Sequence, residues 1–128
     1  WFAMTADIRI LVVDDSFAER ELISEAAYEF GAGVSVMTVD TPDAAELAIT
    51  SFNPDFVLID LHLGRWNGRQ LLPRLTGRSG NVILSTAQDQ QESALCLAAG
   101  ALGFWVKPIR FDAYAEFFSR IRQLPRVK

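Results

Sequence analysis

Five short apolar runs alternate along this chain with five stretches of helical periodicity, and few folds accommodate that alternation. The runs fall at ~8–14, ~33–39, ~55–60, ~81–86 and ~102–106, denoted β1 to β5. The helical stretches fall at ~17–30, ~42–52, ~68–76, ~89–99 and ~111–124, denoted α1 to α5. Their limits are written in turn residues. Gly31 stops α1, Thr41 caps α2 with Pro42 in its first turn, Asn53-Pro54 breaks α2, and Gly100 ends α4. Pro73 lies within α3, so that helix must start late or bend. On α5, Phe111, Tyr114, Phe118 and Ile121 are expected on the stripe that faces the sheet, with Phe117 off it. Strict alternation predicts an α/β, doubly wound (βα)5 sandwich: a parallel five-stranded sheet, right-handed crossovers, helices on both faces. The flavodoxin-like strand order 2-1-3-4-5 is the leading topology.

That order puts the chemistry at one edge. β1 ends in Asp14-Asp15, β3 in Asp60, and β5 in Lys107-Pro108. The switch point of the sheet lies at the carboxyl ends of β1 and β3. Two carboxylates about 5 Å apart repel by roughly 3 kcal/mol at an effective dielectric near 20, so three need protons or a cation. Oxygen donors suit magnesium or manganese, and no Cys/His set with zinc spacing is present. A carboxylate is also a nucleophile that can form an acyl phosphate. Asp60 stands alone on a central strand and is the expected nucleophile, with Asp14-Asp15 as cation anchor and Lys107 as positive charge. Thr86 is the expected hydroxyl donor; Ser85 competes, and alternation along β4 points the two oppositely. Ordinary roles compete as well: an Asp pair often caps a helix, and a lysine is usually solvated. Asp60 and Lys107 weigh against the first, and Pro108, which suggests a rigid, cis-prone peptide bond that aims the lysine, weighs against the second. His62, the single histidine, need not turn its side chain to the site.

Composition narrows the class. At 128 residues the chain suits one domain, expected over 7–128, with residues 1–6 outside it and Met4 as native start after a Trp1-Phe2-Ala3 remnant. A net charge of -4 and a pI near 4.9 do not suit a nucleic-acid backbone partner. No apolar run reaches the ~18 residues of a membrane span and no signal peptide is evident, so a cytoplasmic protein is the default expectation. The one cysteine, Cys96, lies in an apolar stretch and is expected in the core. Trp66 falls in a polar loop and is expected to be exposed, as a partner contact, a lid or a packing residue on α3; Trp105 is expected in the core.

Five motifs, each at a strand end or just beyond, carry a resemblance over nearly the whole chain. They are Val12-Val13-Asp14-Asp15, Leu58-Ile59-Asp60-Leu61, Gly68 eight residues after Asp60, Ser85-Thr86-Ala87, and Gly103-Phe104-Trp105-Val106-Lys107-Pro108. Together they resemble the receiver domain of two-component response regulators. The resemblance implies that Asp60 is the phosphoacceptor for a histidine kinase or histidine phosphotransfer protein. It implies that Asp15 and Asp60 bind magnesium directly, Asp14 partly through water, and His62 through its backbone carbonyl. Thr86 and Lys107 would contact phosphoryl oxygens. Thr86 and Phe104 would form the switch, reshaping the α4-β5-α5 face, through which a homodimer would form. Phe117 joins Phe104 in the expected apolar output surface. The family usually has the bond before Pro108 cis. Such a domain is not a conventional enzyme, although it assists its own phosphorylation and dephosphorylation.

This chain departs from the family pattern in places. Phe104 replaces the familiar tyrosine, Gly64 stands where proline is common and suggests a looser loop, and the stretch from Thr86 to Lys107 looks one residue short. His62 and Gln88 occupy positions that tune phosphoryl lifetime in the family. None of these touches the acid–lysine set. The alternative is a degenerate receiver acting only as a protein–protein interaction module; such domains usually lose an acid or the lysine. A haloacid-dehalogenase-like phosphatase would need an Asp-x-Asp pair after β1, and a flavin carrier would need a hydroxyl-rich phosphate loop there. The chain fits either a single-domain regulator or a piece of a longer protein.

Overall fold

Five parallel strands form the central sheet: β1 (Ile8–Val13), β2 (Val34–Val39), β3 (Phe56–Asp60), β4 (Gly80–Ser85) and β5 (Gly103–Val106), in spatial order 2-1-3-4-5. The computed structural model describes residues 8–75, 77 and 79–126; the expectations about residues 1–6 and the Met4 start lie outside them. Every residue of β3 and β4 is buried, which is why these runs show no polar alternation. β2 is an edge strand and half-buried throughout.

Side chains alternate across the sheet and build two cores. On one face Ile10, Val12, Leu58, Val82 and Leu84 meet Ile23 and Ala26 of α1 and Phe118 and Ile121 of α5. On the other Leu11, Val13, Val57, Ile59 and Ile83 meet Ala45 and Ile49 of α2, Leu72 and Leu75 of α3, and Cys96 of α4.

The helices follow their local signals. α1 (Phe17–Phe30) is capped by Ser16, whose hydroxyl accepts from the Glu19 N–H. It ends where the Gly31 N–H donates to the Ala27 carbonyl at 2.8 Å; a Cβ on Gly31 would lie 2.7 Å from that oxygen. α2 (Pro42–Phe52) is capped by Thr41 and stopped by Asn53 in the left-handed region, at φ 52°. α3 starts late: a 3-10 turn over Gly68–Leu71 precedes Leu72–Leu75, so Pro73 falls in the first α-helical turn, where its missing N–H costs nothing. α4 (Gln90–Ala98) is capped by Asp89, and α5 (Tyr114–Arg122) follows a 3-10 turn over Phe111–Ala113.

Three expectations are corrected. Phe117 is only 5% exposed, with ring centroids 5.3 Å from Tyr114, 5.5 Å from Phe118 and 5.7 Å from Trp105, so it belongs to the core and not to an output surface. The α-helix begins at Tyr114, so the buried stripe runs 114, 117, 118, 121, and Phe111 stands in the preceding turn, exposed beside Phe30. No peptide bond among the described residues is cis, so the Lys107–Pro108 bond is trans. The ladder bond from the Lys107 N–H to the Ser85 carbonyl at 2.8 Å sets this segment. The polar loop after β3 is an ordered hairpin, His62–Leu63 against Trp66–Asn67, turned at Gly64 with φ 59°. Trp105 and Cys96 are buried and Trp66 is exposed, as expected. No described helix is long and apolar enough to cross a membrane.

Candidate functional site

The carboxyl ends of β1, β3 and β5 converge as the sequence requires. The Asp14 N–H continues the β1–β2 ladder with a 3.1 Å bond to the Val39 carbonyl. Its side chain turns inward, and Oδ1 accepts the Ser16 N–H at 2.9 Å while Arg20 holds the Asp14 carbonyl at 2.9 Å. Asp14 is buried and Asp15 exposed. Asp60 is the last residue of β3, buried, and its Oδ1 lies 3.4 Å from the His62 N–H. Carboxylate oxygens of Asp14, Asp15 and Asp60 all lie within 4.8 Å of one another.

Lys107 answers this charge from β5. Its Nζ lies 3.2 Å from Asp14 Oδ2, 3.4 Å from Asp60 Oδ2 and 3.9 Å from Glu19 Oε2, and its side chain is 12% exposed. One ammonium is shared among several acids. Burial pushes the Asp60 carboxyl up; Lys107 opposes that shift, Asp14 reinforces it, and the net is upward. For Lys107 burial acts downward, but Asp60, Asp14 and Glu19 outweigh it, and its pKa rises. The neighbouring Tyr114 phenol is pushed up to about 12 by burial and by the charges of Glu19 and Asp14, so it adds no charge near neutrality. The donor set, three carboxylates at one mouth with one of them reluctant to ionise, fits a hard divalent cation. Neutralisation by such an ion relieves the repulsion that burial makes costly.

The remaining expected residues are placed as follows. Thr86 is exposed just beyond the end of β4, whereas Ser85 is buried and its hydroxyl accepts the Ala87 N–H at 3.4 Å. The two hydroxyls therefore occupy different environments, with Thr86 at the open edge. Phe104 is half-buried and packs on the core beneath α2, α3 and α4. The His62 residue is exposed while its backbone borders Asp60. Gly68 has a physical reason: a Cβ there would lie 2.3 Å from the Asp60 carbonyl oxygen and 3.0 Å from Ile59. Its N–H also donates to the Leu61 carbonyl at 2.6 Å, fixing the exit of β3 after Asp60.

Sequence reasoning overlooked Glu19 and Arg20. Both lie in the first turn of α1, which starts just after Asp14-Asp15, so the helix start itself brings them beside the acids. It also overlooked Arg69 and Glu92, an ion pair at 2.8 Å that joins the start of the 3-10 turn to α4. Nothing in the local sequence links those two positions.

A family model described as the response regulator receiver domain matches residues 10–119. Among curated relatives, the positive alginate biosynthesis regulatory protein of Pseudomonas aeruginosa is 31% identical over 125 residues, covering 94% of this chain and 50% of that protein. Regulatory protein VirG of Agrobacterium tumefaciens is 32% identical over 122 residues, covering 93% of this chain and 44% of that protein. The chain thus spans about half the length, or less, of these relatives. Among solved structures, the receiver domain of the response regulator NarL from Mycobacterium tuberculosis superposes with a TM-score of 0.80 at 22% identity, over 94% of this chain and 100% of that one. The beryllofluoride-activated receiver domain of RstA from Klebsiella pneumoniae gives 0.73 at 28% identity, over 89% and 95%.

Proposed function

The chain belongs to the response regulator receiver domain family, and on that premise we propose that Asp60 accepts a phosphoryl group from a histidine kinase or histidine phosphotransfer protein. An Asp60 carboxylate oxygen attacks phosphorus, the P–N bond to the donor imidazole breaks, and its electron pair stays on the imidazole nitrogen. The observation that carries this reading is the buried Asp60 at the meeting point of two further acids and Lys107, 3.4 Å from its Nζ.

Asp15 and Asp60 would hold magnesium or manganese directly, with Asp14 assisting through water and the His62 backbone carbonyl as a further donor. Such an ion supplies charge neutralisation at the transferring phosphoryl group. Asp14 keeps Lys107 aimed at Asp60, so the ammonium is already in place for the phosphoryl oxygens. Thr86, at the open edge, donates its hydroxyl to a phosphoryl oxygen. Its movement toward Asp60 vacates space for the half-buried Phe104, which reshapes the α4-β5-α5 face. Phe104 stays in the proposed output surface together with exposed Leu95, Leu97 and Leu102, where a homodimer would form. The domain works as a cytoplasmic signalling module, and no direct nucleic-acid contact is part of the proposal.

The test is modification of the purified chain by acetyl phosphate with magnesium, read by mass spectrometry of the Asp60 peptide. A magnesium-dependent phosphoryl increment that Asp60→Asn abolishes is expected. Its absence would overturn the reading in favour of an interaction module.

A further inference from the structure

α4 is the least anchored of the longer helices. α1 buries three residues, α2 four and α5 four, but α4 buries only Cys96. Leu95 and Leu97 point to solvent, and the four residues before the helix body, 86–89, are all exposed. Apolar packing therefore does little to fix where α4 sits.

A polar contact does that work. Glu92 Oε1, on a side chain only 17% exposed, accepts from Arg69 Nε at 2.8 Å and from Asn67 Nδ2 at 3.4 Å. Both donors lie on the segment that leaves the phosphoacceptor. Asn67 pairs with His62 across the hairpin, and the His62 N–H faces Asp60 Oδ1. Asn67 also caps the 3-10 turn, its side chain accepting the Arg69 N–H at 2.8 Å, while Gln70 Oε1 accepts the Asn67 N–H at 3.0 Å. The segment is thus rigidly seated, and Glu92 ties α4 to it.

We propose that Glu92 is a positioning residue: its bonds to Arg69 and Asn67 latch α4 in the unphosphorylated arrangement, and their release sets how readily the domain switches. The switching half of this inference rests on the phosphoacceptor reading above; the latch itself does not. Charge acquired at Asp60 shifts the Leu61–His62 backbone, which carries Asn67 and Gly68 with it. A shift there strains the Glu92 bonds, which leaves buried Cys96 as the main apolar anchor of α4.

Two measurements on the whole chain separate these halves. Hydrogen exchange in the absence of any phosphoryl analogue tests the latch. Glu92→Gln and Arg69→Gln are each expected to speed exchange of α4 amides about threefold, with α1 and α5 unchanged. The charge swap pairing Glu92→Arg with Arg69→Glu should restore most of the protection. Unchanged α4 exchange in both single variants, or a uniform rise across all helices, overturns the latch. Titration with magnesium beryllofluoride tests the switch. Both single variants should bind the analogue about threefold more tightly than wild type, since less free energy is spent releasing α4. Equal or weaker binding overturns the switching role. Failure of wild type itself to bind the analogue strikes the phosphoacceptor reading, and the exchange result then still decides the latch.

Discussion

Replacing Lys107 by methionine keeps the aliphatic length of the side chain and deletes its charge. The ammonium sits 3.2 Å from Asp14 and 3.4 Å from Asp60, so each attraction is about 5 kcal/mol at an effective dielectric of 20. The acids, with oxygens within 4.8 Å of one another, repel by about 3 kcal/mol or more per pair on the same scale. Removing the lysine also removes the several kcal/mol spent in desolvating it. Deleting one partner of a buried ion pair costs about 3–5 kcal/mol net, and the variant is expected at the lower end of that range, near 3 kcal/mol at neutral pH without divalent cations. The pH dependence has a definite sign. Asp60 in the folded state already titrates above its unfolded value, and losing Lys107 raises it further. Between the unfolded carboxylate pKa near 4 and that raised value the folded state binds more protons, so stability falls as pH rises through the window. The deficit of the variant should therefore be small near about pH 4, widen toward neutrality, and narrow again when magnesium is added. Urea unfolding followed by circular dichroism reads all three. A neutral-pH loss under about 1 kcal/mol, as for a surface pair, or a deficit that does not change with pH, would refute the shared-ammonium argument.

Other outcomes follow from the same geometry. Asp60→Asn should unfold at higher urea than wild type at neutral pH without divalent ions, because it removes a buried charge held in its unfavoured form, and the gap should close as pH falls toward about 4. In wild type, the stabilising share of Lys107, whose pKa is raised, is fully present below about 10.4 and lost as pH rises through its folded value; alkaline urea titrations check this. Gly68→Ala forces a methyl against the Asp60 carbonyl and should cost about 1–3 kcal/mol in urea unfolding while weakening magnesium binding measured calorimetrically. Phe117→Ala should cost about 3–5 kcal/mol in the same unfolding assay, as a core truncation rather than a surface change.

Much of the fold was legible because its signals are local. The Ser16 and Thr41 caps, the Asn53 stop and the late start forced by Pro73 depend on residues a few positions away. The uninterrupted apolar character of β3 and β4 announces strands covered on both faces. From strand order alone Asp14, Asp15, Asp60 and Lys107 come to one edge, and the structure brings them together there.

What local pattern could not supply was decided by contacts between distant segments. Phe117 departs from the stripe expected of a helix beginning at 111 because the α-helix begins three positions later, at Tyr114; its burial is set by Trp105 on β5 and its neighbours on the helix. The role of Gly68 is legible as a spacing, but its cause, the closeness of the Asp60 carbonyl, exists only after the chain returns on itself. Glu92 and Arg69 carry no motif and become partners through the packing of α4 beside the hairpin. Periodicity and capping act over short separations, so the alternation of strands and helices and the residue types at the strand ends are legible in the chain alone, with 2-1-3-4-5 as the leading order. The tertiary structure decided how one lysine is divided among several acids and what holds α4, since burial and charge sharing depend on which remote groups arrive at the same place.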